Sequence, residues 1–295
     1  MSIKPNFSVV GAAKAGTTSL YVWLKQHPDV FLPQIQAPSF FVHGYGFNNW
    51  ERYLKLFEKG QGKKAIGDTS ASSLAAPEAP EWIHEKLGTI KIIMVLRNPT
   101  HRAFSLHSWM VMDGYEKYSS FEKALEAEET RYFDQHFYWH NPEYFWDYIY
   151  FRSGLYFAQV KRYLDVFGSE NVKIFLFDEI VSSPAQVFLG ICDFLEISTN
   201  FTPNFTHENP SVLPRFATLQ NLIRINFDSA ARKLCRGRLY KHVRSVERQL
   251  IEWNKKMGGK RPKMLPQTEQ KLRQMYKEDV KRLSSLIGRD LADWM

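Results

Sequence analysis

The sequence FSVVGAAKAGTTSLYVWLKQH, residues 7–27, joins a short apolar run, a loop of small residues and a helical pattern. The run from Phe7 to Val10 is largely aromatic and β-branched, which favours a buried strand that Gly11 interrupts. Beyond the loop, apolar residues recur at helical spacing until Pro28 prevents easy continuation. The stretch therefore predicts a strand, a tight turn and a helix whose N-terminal N–H groups can bind an anion.

The loop itself, residues 11–16, is called the phosphate loop below. Gly11 and Gly16 have the separation found in the phosphate-binding pattern G-x-x-x-x-G-K-[ST]. The cation is displaced, because Lys14 precedes the second glycine and Thr17 occupies the usual lysine position. The predicted anion ligands are Lys14, Ala15, Gly16, Thr17, Thr18 and Ser19. The alternative is an ordinary glycine turn capped by threonine.

Size and charge set the broad class of the protein. With 295 residues, 44% hydrophobic and 15% aromatic, the chain can bury one large core. We expect a single domain over residues 1–295, with an α/β core in residues 1–200 and a helical subregion in residues 201–295. A net charge of +8 suits an anionic ligand without choosing its class. Because there is no zinc-finger spacing or aromatic RNA-binding signature, we expect no nucleic-acid partner.

The apolar runs indicate where the protein resides. None approaches the ~20 continuous apolar residues of a membrane span, and the N-terminus shows no signal-peptide apolar region. We expect a cytoplasmic monomer or homodimer without a membrane partner. Cys192 and Cys235 are the two cysteines and lack metal-ligand spacing, so we interpret them as free thiols. No carboxylate cluster suggests magnesium, and we expect no metal.

A second anion-binding element follows the run IKIIMVL, residues 90–96. This run is apolar apart from one lysine, which is typical of a parallel strand covered on both faces. It continues into RNPTHRAFS, residues 97–105, where a proline opens a helix. Ligands of open parallel sheets bind beyond the carboxyl ends of the strands, where Arg97 would lie. Its planar guanidinium can donate two hydrogen bonds to one phosphate.

Both elements resemble sulfotransferases that use 3′-phosphoadenylyl sulfate (PAPS), most of all the bacterial branch related to heparan sulfate sulfotransferases. G-x-x-K-x-G-T-T-S-L, opening a helix that ends in Q-H-P, resembles their 5′-phosphosulfate loop, and R-N-P-x-x-R-A-x-S resembles their 3′-phosphate motif. The resemblance implies a P-loop-like three-layer α/β fold, with a central parallel sheet flanked by helices. It also implies that Arg97 and Ser105 hold the 3′-phosphate, with Arg102 in support, and that adenosine 3′,5′-bisphosphate is the product.

Two further segments resemble nucleotide-binding parts of this family. Arg152 and Tyr156 correspond to the family segment near the adenine and the 3′-phosphate. The basic, glycine-containing run of residues 255–262 resembles a loop that closes over the nucleotide, which makes Lys260 and Arg261 candidate phosphate ligands. The alternative for this run is a solvated group of charges.

The chain departs from the family at residues 36–41, called the acceptor loop below. Relatives commonly show K-E-x-H-F-F there, with Glu as the catalytic base, whereas this chain reads QAPSFF. Ala37 stands at the Glu position and Ser39 at the His position, while Pro38 and Phe40 are retained. The base has been replaced, the acceptor loses its proton easily, or this copy is catalytically impaired. We assign Ala37, Pro38, Ser39 and Phe40 to acceptor binding.

Two residues are candidate replacement bases. Asp68 is the first, because it ends a predicted strand beside the proposed site. The alternative is that it orients Lys14 or caps a loop, since ion-paired carboxylates have low pKa values and are poor bases near neutrality. His43 is the second, because its ordinary pKa suits proton transfer and it closely follows the acceptor loop. The alternative for His43 is a polar loop residue.

The aromatic segment, residues 132–151, bears on the choice of acceptor. Eleven of its 20 residues are aromatic, three are acidic, and none is Lys or Arg. Such a wall favours a cationic or flat acceptor through ionic and cation–π contacts. The alternative is a hydrophobic helical lid. The candidate acceptor contacts are Tyr138, Trp139 and Trp146.

These patterns predict sulfuryl transfer to a hydroxyl or nitrogen of a small molecule, such as a cationic or aromatic natural product of the guanidinium alkaloid kind. Glycan sulfation and a catalytically impaired PAPS-binding protein are the alternatives. A P-loop kinase and a nucleotide or nucleic-acid binder are rivals from other classes. A kinase would carry Lys directly after Gly16, where this chain has Thr17.

Overall fold

A parallel sheet forms the centre of the computed structural model, which describes residues 2–141, 143–205, 245–246, 249–251 and 263–295. Within these residues the sheet has five strands, in the order β2-β3-β1-β4-β5, and all neighbouring pairs are parallel. The strands are β1 (Phe7–Gly11), β2 (Val30–Phe31), β3 (Ala65–Asp68), β4 (Lys91–Leu96) and β5 (Val172–Leu176). The predicted α/β fold with a central parallel sheet flanked by helices is confirmed.

Helices connect and flank the strands. They are α1 (Thr17–Lys25), α2 (Trp50–Lys55), α3 (Ala79–Leu87), α4 (Pro99–Met112), α5 (Phe121–Phe133), α6 (Gln135–His140), α7 (Tyr156–Phe167), α8 (Phe177–Ser182), α9 (Pro184–Phe194) and α10 (Pro266–Ile287). The alternation of strands with helices is what places crossovers on the faces of a parallel sheet. Helix α1 begins directly after Gly16, as the sequence pattern predicts.

The positions of β1 and β4 inside the sheet explain why their sequences are so apolar. Every residue of β1 is buried, and in β4 Lys91 alone is partly exposed. A strand in the middle of a parallel sheet is covered on both faces, so alternation with polar residues would bury them. In the neighbouring β3, Gly67 lies opposite Phe7, and an added Cβ would lie 2.2 Å from the Phe7 ring. This close approach requires glycine there.

The chain forms two compact units that interleave in sequence. The first contains the sheet and comprises the described parts of residues 1–102, 155–207 and 277–295. The second comprises residues 103–154 and the described residues from 245 to 276. The expected single domain, with an α/β core in residues 1–200 and a helical subregion in residues 201–295, stays a prediction. The end of α10 packs within the first unit, where the Asp279 carboxylate accepts a hydrogen bond from the Phe157 backbone N–H.

A buried ion pair lies inside the second unit. The Arg131 guanidinium donates from both terminal nitrogens to the two oxygens of Glu116, each at 2.7 Å. The Tyr150 hydroxyl donates to the same carboxylate at 2.7 Å. Burial raises the pKa of Glu116, but the hydrogen bonds and charge of Arg131 outweigh it and hold that pKa below its usual value. This pair joins α5 to the loop that precedes it, and the Tyr150 hydrogen bond connects the end of the aromatic segment to the same carboxylate.

Candidate nucleotide and acceptor site

The phosphate loop gives α1 an uncapped N-terminus. Gly16 occupies the N-cap position with φ 97°, and it has no side chain that could accept from the first N–H groups of the helix. Lys14 also has a left-handed backbone, with φ 66°. A Cβ added to Gly16 would lie 3.3 Å from the Ile180 and Phe177 side chains, so the loop is pressed against α8. An anion at this helix end would take the place of a cap.

Arg97 connects the end of β4 to the phosphate loop. Its Nη1 donates to the Lys14 carbonyl oxygen at 3.0 Å, and its guanidinium lies 4.4 Å from the centre of the Phe177 ring. The structure thus brings together the two elements in which the sequence predicts phosphate ligands. The contact is with the backbone of Lys14, so Arg97 also fixes the conformation of the loop.

Tyr156 lies beside Arg97 within the first unit. Its side chain is fully buried. Burial raises the pKa of the Tyr156 hydroxyl, and the neighbouring charges of Arg102 and Arg97 partly oppose that rise. Arg102 is buried too, although guanidinium groups are rarely fully buried unless they are paired. Tyr156, Arg97 and Arg102, which the sequence assigns to the 3′-phosphate region, therefore lie close together.

Helix α4 carries the remaining predicted 3′-phosphate ligand. The Asn98 side chain accepts from the Thr100 N–H at 3.0 Å, which caps the helix at its N-terminus. Ser105 lies two turns into this helix, in the second unit. The other two predicted phosphate ligands, Lys260 and Arg261, lie outside the described residues and stay predictions.

The acceptor loop turns most of its side chains inward. Ala37 is exposed, whereas Pro38, Ser39 and Phe40 are buried. The Phe40 ring stacks on Tyr53, with 4.8 Å between the ring centres, and also packs on the Trp82 ring. In this arrangement Phe40 is part of the core. Of the four loop residues assigned to acceptor binding, Ala37 is the one whose side chain faces solvent.

Asp68 lies behind the acceptor loop, not at its surface. It is 0% exposed, and its two oxygens accept hydrogen bonds from the Tyr53 hydroxyl at 2.7 Å and the Ser70 hydroxyl at 2.5 Å. Burial raises the pKa of Asp68, and these two hydrogen bonds oppose the rise. A base must come within hydrogen-bond reach of the proton it removes. In this geometry the Asp68 carboxylate does not reach solvent.

His43 has the opposite setting. Its side chain is 57% exposed, and its Nδ1 lies 3.6 Å from a carboxylate oxygen of Glu78. The Glu78 carboxylate also accepts from the His43 backbone N–H at 2.8 Å, while the ring packs on Trp82 at 5.2 Å. Unlike the Asp68 carboxylate, the His43 imidazole is open to solvent.

Hydroxyl and amide groups that the sequence analysis did not single out hold the acceptor loop in place. Thr69 donates to the Gln36 carbonyl oxygen, and the Gln36 amide donates to the Thr18 hydroxyl at 3.1 Å. The Ser39 N–H donates to Ser70 at 2.9 Å. The available signal was the run of hydroxyl residues directly after Asp68, TSASS, at the end of a predicted strand.

The aromatic segment, described within the second unit, is partly core and partly surface. Tyr144, Phe145, Tyr148 and Tyr150 are buried, whereas Trp139 is 57% exposed. Tyr138 and Trp146 are half-buried.

Arginines just outside the aromatic segment occupy several of its ring faces. The Arg131 guanidinium lies 5.5 Å from the Phe137 ring centre, and that of Arg152 lies 4.3 Å from the Tyr132 ring centre. The aromatic segment has no Lys or Arg of its own, but the arginines on either side of it place cations over its rings. An acceptor cation would have to use the exposed rings.

The remaining expectations concern metals, membranes and thiols. Among the described residues, no group of three or more His, Cys, Asp or Glu side chains is arranged to hold a metal ion. In the same part of the chain, no helix has the length and apolarity needed to cross a bilayer. Cys192 is a buried free thiol, and burial raises its pKa to about 11. Cys235 lies outside the described residues.

The chain is similar in sequence and structure to known proteins. A sulfotransferase from Alicyclobacillus acidocaldarius has a crystal structure that matches with a TM-score of 0.73 and 31% identity, over 99% of both chains. Heparan sulfate glucosamine 3-O-sulfotransferase 5 of mouse is 26% identical over 65% of this chain, and membrane-associated sulfotransferase kil1 of Dictyostelium discoideum is 29% identical over 36%. The chain spans 54% and 23% of these two relatives. The family described as Sulfotransferase domain matches residues 4–284, and the chain therefore belongs to this family.

Proposed function

We propose that the protein transfers a sulfuryl group from PAPS to a hydroxyl or nitrogen of an acceptor. The observation that carries this is the contact of Arg97 with the Lys14 carbonyl, which joins two phosphate-binding elements beside an uncapped helix end. The family to which the chain belongs uses PAPS as the sulfuryl donor. Curated relatives are longer than this chain, so the activity of the whole protein is part of the proposal.

The residues present fit the donor at its 5′ end. When bound, PAPS supplies the sulfuryl group and a phosphate leaving group. The acceptor atom forms the new bond to sulfur as the bond from sulfur to the bridging phosphate oxygen breaks, and the acceptor proton passes to a base or to water. Lys14, the hydroxyls of Thr17 and Thr18 and the N-terminus of α1 would stabilise the negative charge that develops on that oxygen.

The residues around the 3′ end fit a second phosphate. Arg97 would hold it, with Tyr156 and Arg102 beside it in the first unit, while Ser105 stays a ligand predicted from the resemblance alone. Arg97 would contribute charge as well as geometry, because a guanidinium donates paired hydrogen bonds to phosphate oxygens. Lys260 and Arg261 would add charge from the C-terminal region. This arrangement needs no metal ion, since Lys14 and Arg97 supply positive charge.

For the acceptor we favour a small cationic or aromatic molecule. The support is the exposed part of the aromatic segment, including Trp139, together with the half-buried rings of Tyr138 and Trp146. Glycan sulfation is the second candidate, because relatives are heparan sulfate sulfotransferases by name and because the net charge of +8 suits a polyanion. A cytoplasmic location and a monomeric or homodimeric state belong to the same proposal.

Calorimetric titration tests the donor site directly. Adenosine 3′,5′-bisphosphate, ATP and 5′-AMP are titrated into the protein without magnesium. We expect tight binding of the bisphosphate alone, and a loss of about 10- to 100-fold in Arg97→Ala, since a hydrogen bond to a charged group contributes about 1.5–3 kcal/mol. Arg52→Ala, an exposed arginine on α2, is the matched control and should bind normally. Equal or better binding of ATP would overturn the proposal in favour of a kinase.

A further inference from the structure

We propose that Asp68 is a positioning residue, which holds the acceptor loop in shape against the first turn of α1 and does not itself remove the acceptor proton. This role deepens the proposed function and rests on it, because the acceptor loop is assigned to acceptor binding only if the protein is a sulfotransferase of that kind. It concerns residues of the first unit only.

Both oxygens of the Asp68 carboxylate already accept hydrogen bonds from within the protein. Asp68 is 0% exposed, and each of its oxygens accepts from a different hydroxyl, those of Tyr53 and Ser70. Buried polar groups in proteins are normally satisfied in this way, and losing one partner leaves the other without its hydrogen bond. The acceptor cannot approach this carboxylate unless the loop moves.

A chain of two hydrogen bonds connects Asp68 to the backbone of the acceptor loop. The Ser70 hydroxyl donates to Asp68 and accepts from the Ser39 N–H at 2.9 Å. Ser39 has φ 51°, a left-handed conformation that is uncommon outside glycine and persists where the surroundings impose it. Its own hydroxyl lies 2.9 Å from that of Ser72. Asp68 therefore orients the group that fixes this turn.

Asp68 is also connected, through Tyr53, to Phe40, the residue that follows Ser39 in the loop. The Tyr53 hydroxyl donates to Asp68, and the Tyr53 ring stacks on Phe40 with an interplanar angle of 28°. One carboxylate thus sets both the backbone of Ser39 and the ring against which Phe40 packs. This double connection is what a positioning role requires.

The acceptor loop is hydrogen-bonded to α1, the helix that follows the phosphate loop. The amide of Gln36, the first residue of the loop, donates to the Thr18 hydroxyl in the first turn of α1. Thr69, next to Asp68, donates to the Gln36 carbonyl oxygen. A loop displaced from Asp68 would therefore also alter the placement of Ala37 relative to the phosphate loop.

Amide hydrogen exchange tests the proposal without donor or acceptor. Exchange of peptides covering residues 37–41 is compared in the wild type, Asp68→Asn and Ser70→Ala. Asparagine replaces one of the two carboxylate oxygens with an N–H₂ donor, so one of the two hydroxyls loses its acceptor. We expect exchange at least about tenfold faster in both variants, because the loop opens more often. Ser70→Thr, which retains a hydroxyl, should restore slow exchange, and Asp165→Asn, an exposed carboxylate on α7, is the matched control.

Turnover separates a positioning residue from a base. With p-nitrophenol as the probe acceptor, Asp68→Asn should raise KM more than it lowers kcat and should leave the pH profile of kcat unchanged. Unchanged exchange in Ser70→Ala would overturn the proposal. So would loss of the acidic limb of the kcat profile in Asp68→Asn together with normal exchange, because that result assigns Asp68 as the base.

Two safeguards keep the test decisive. If Asp68→Asn fails to fold, Ser70→Ala and Tyr53→Phe still perturb the two routes separately, and each should speed exchange of the loop. Failure of the proposed function has its own sign, which is that wild-type protein does not bind adenosine 3′,5′-bisphosphate. The exchange result stands in either case.

Discussion

The phosphate loop follows β1 and the acceptor loop follows β2, but different interactions fix the conformations of these two loops. The phosphate loop depends on small residues, on the left-handed backbone at Gly16 and on the end of α1. The acceptor loop depends on a buried network of hydroxyls around Asp68 and on the packing of Phe40. A site made from backbone groups leaves a short pattern in the sequence, whereas one held by distant side chains does not.

The packing side of this comparison is tested by Phe40→Ala. If Phe40 is core and not an acceptor contact, the change should lower the free energy of unfolding by about 3–5 kcal/mol, as for other buried phenylalanines. Chemical denaturation measures the change. Ile35→Ala, an exposed apolar residue beside the loop, is the control and should stay within about 0.5 kcal/mol of wild type. A stable Phe40→Ala protein with weakened acceptor binding would restore Phe40 as a substrate contact.

The electrostatic side is tested by Lys14→Ala. Removing one preorganised group that stabilises charge in the transition state costs about 2.7–4 kcal/mol, so kcat should fall by about 100- to 1000-fold. Release of adenosine 3′,5′-bisphosphate from PAPS with p-nitrophenol as acceptor gives the rate. Lys55→Ala, exposed on α2, should retain it. A Lys14→Ala rate within a few-fold of wild type would remove Lys14 from the mechanism.

The missing base is tested by Ala37→Glu. Because Ala37 is exposed and Asp68 is not, a glutamate at position 37 can reach the acceptor, and we expect about a tenfold higher kcat, below the ~100-fold or more of an evolved base. Ala37→Gln, with the same shape and no basic carboxylate, should show no gain. An unchanged or lower rate in Ala37→Glu would indicate that another group, with His43 the first candidate, already serves as the base.

The smallest expected effect is the pH dependence of stability. The pKa of Asp68 is raised above its ordinary 3.8, chiefly by burial, so the folded state binds its proton more tightly than the unfolded chain. The stability that this proton contributes is complete below pH 3.8 and is lost as the pH rises through the folded-state pKa. The free energy of unfolding of wild type relative to Asp68→Asn should therefore decrease from low pH toward neutrality. An increase would mean that the folded-state pKa is lowered.

Much of the fold could be predicted from local patterns. The strand and helix on either side of the phosphate loop, the buried β4 and the placement of Arg97 at its end follow from periodicity and from the rule for ligands of parallel sheets. The role of Asp68 could not be predicted in the same way. Its partners come from α2 and from the residues after β3, and nothing in their spacing says that they meet.

Local sequence patterns were enough to predict a parallel α/β sheet with an anion-binding loop, because apolar periodicity, glycine spacing and helix ends are local properties. The resemblance of that loop to PAPS-dependent sulfotransferases then implied its ligand. The packed structure was needed to see that Asp68 is enclosed, that Phe40 faces the core and that arginines cover part of the aromatic segment. Burial and hydrogen-bond partners depend on residues far apart in the chain, so they are fixed when the elements pack and not before.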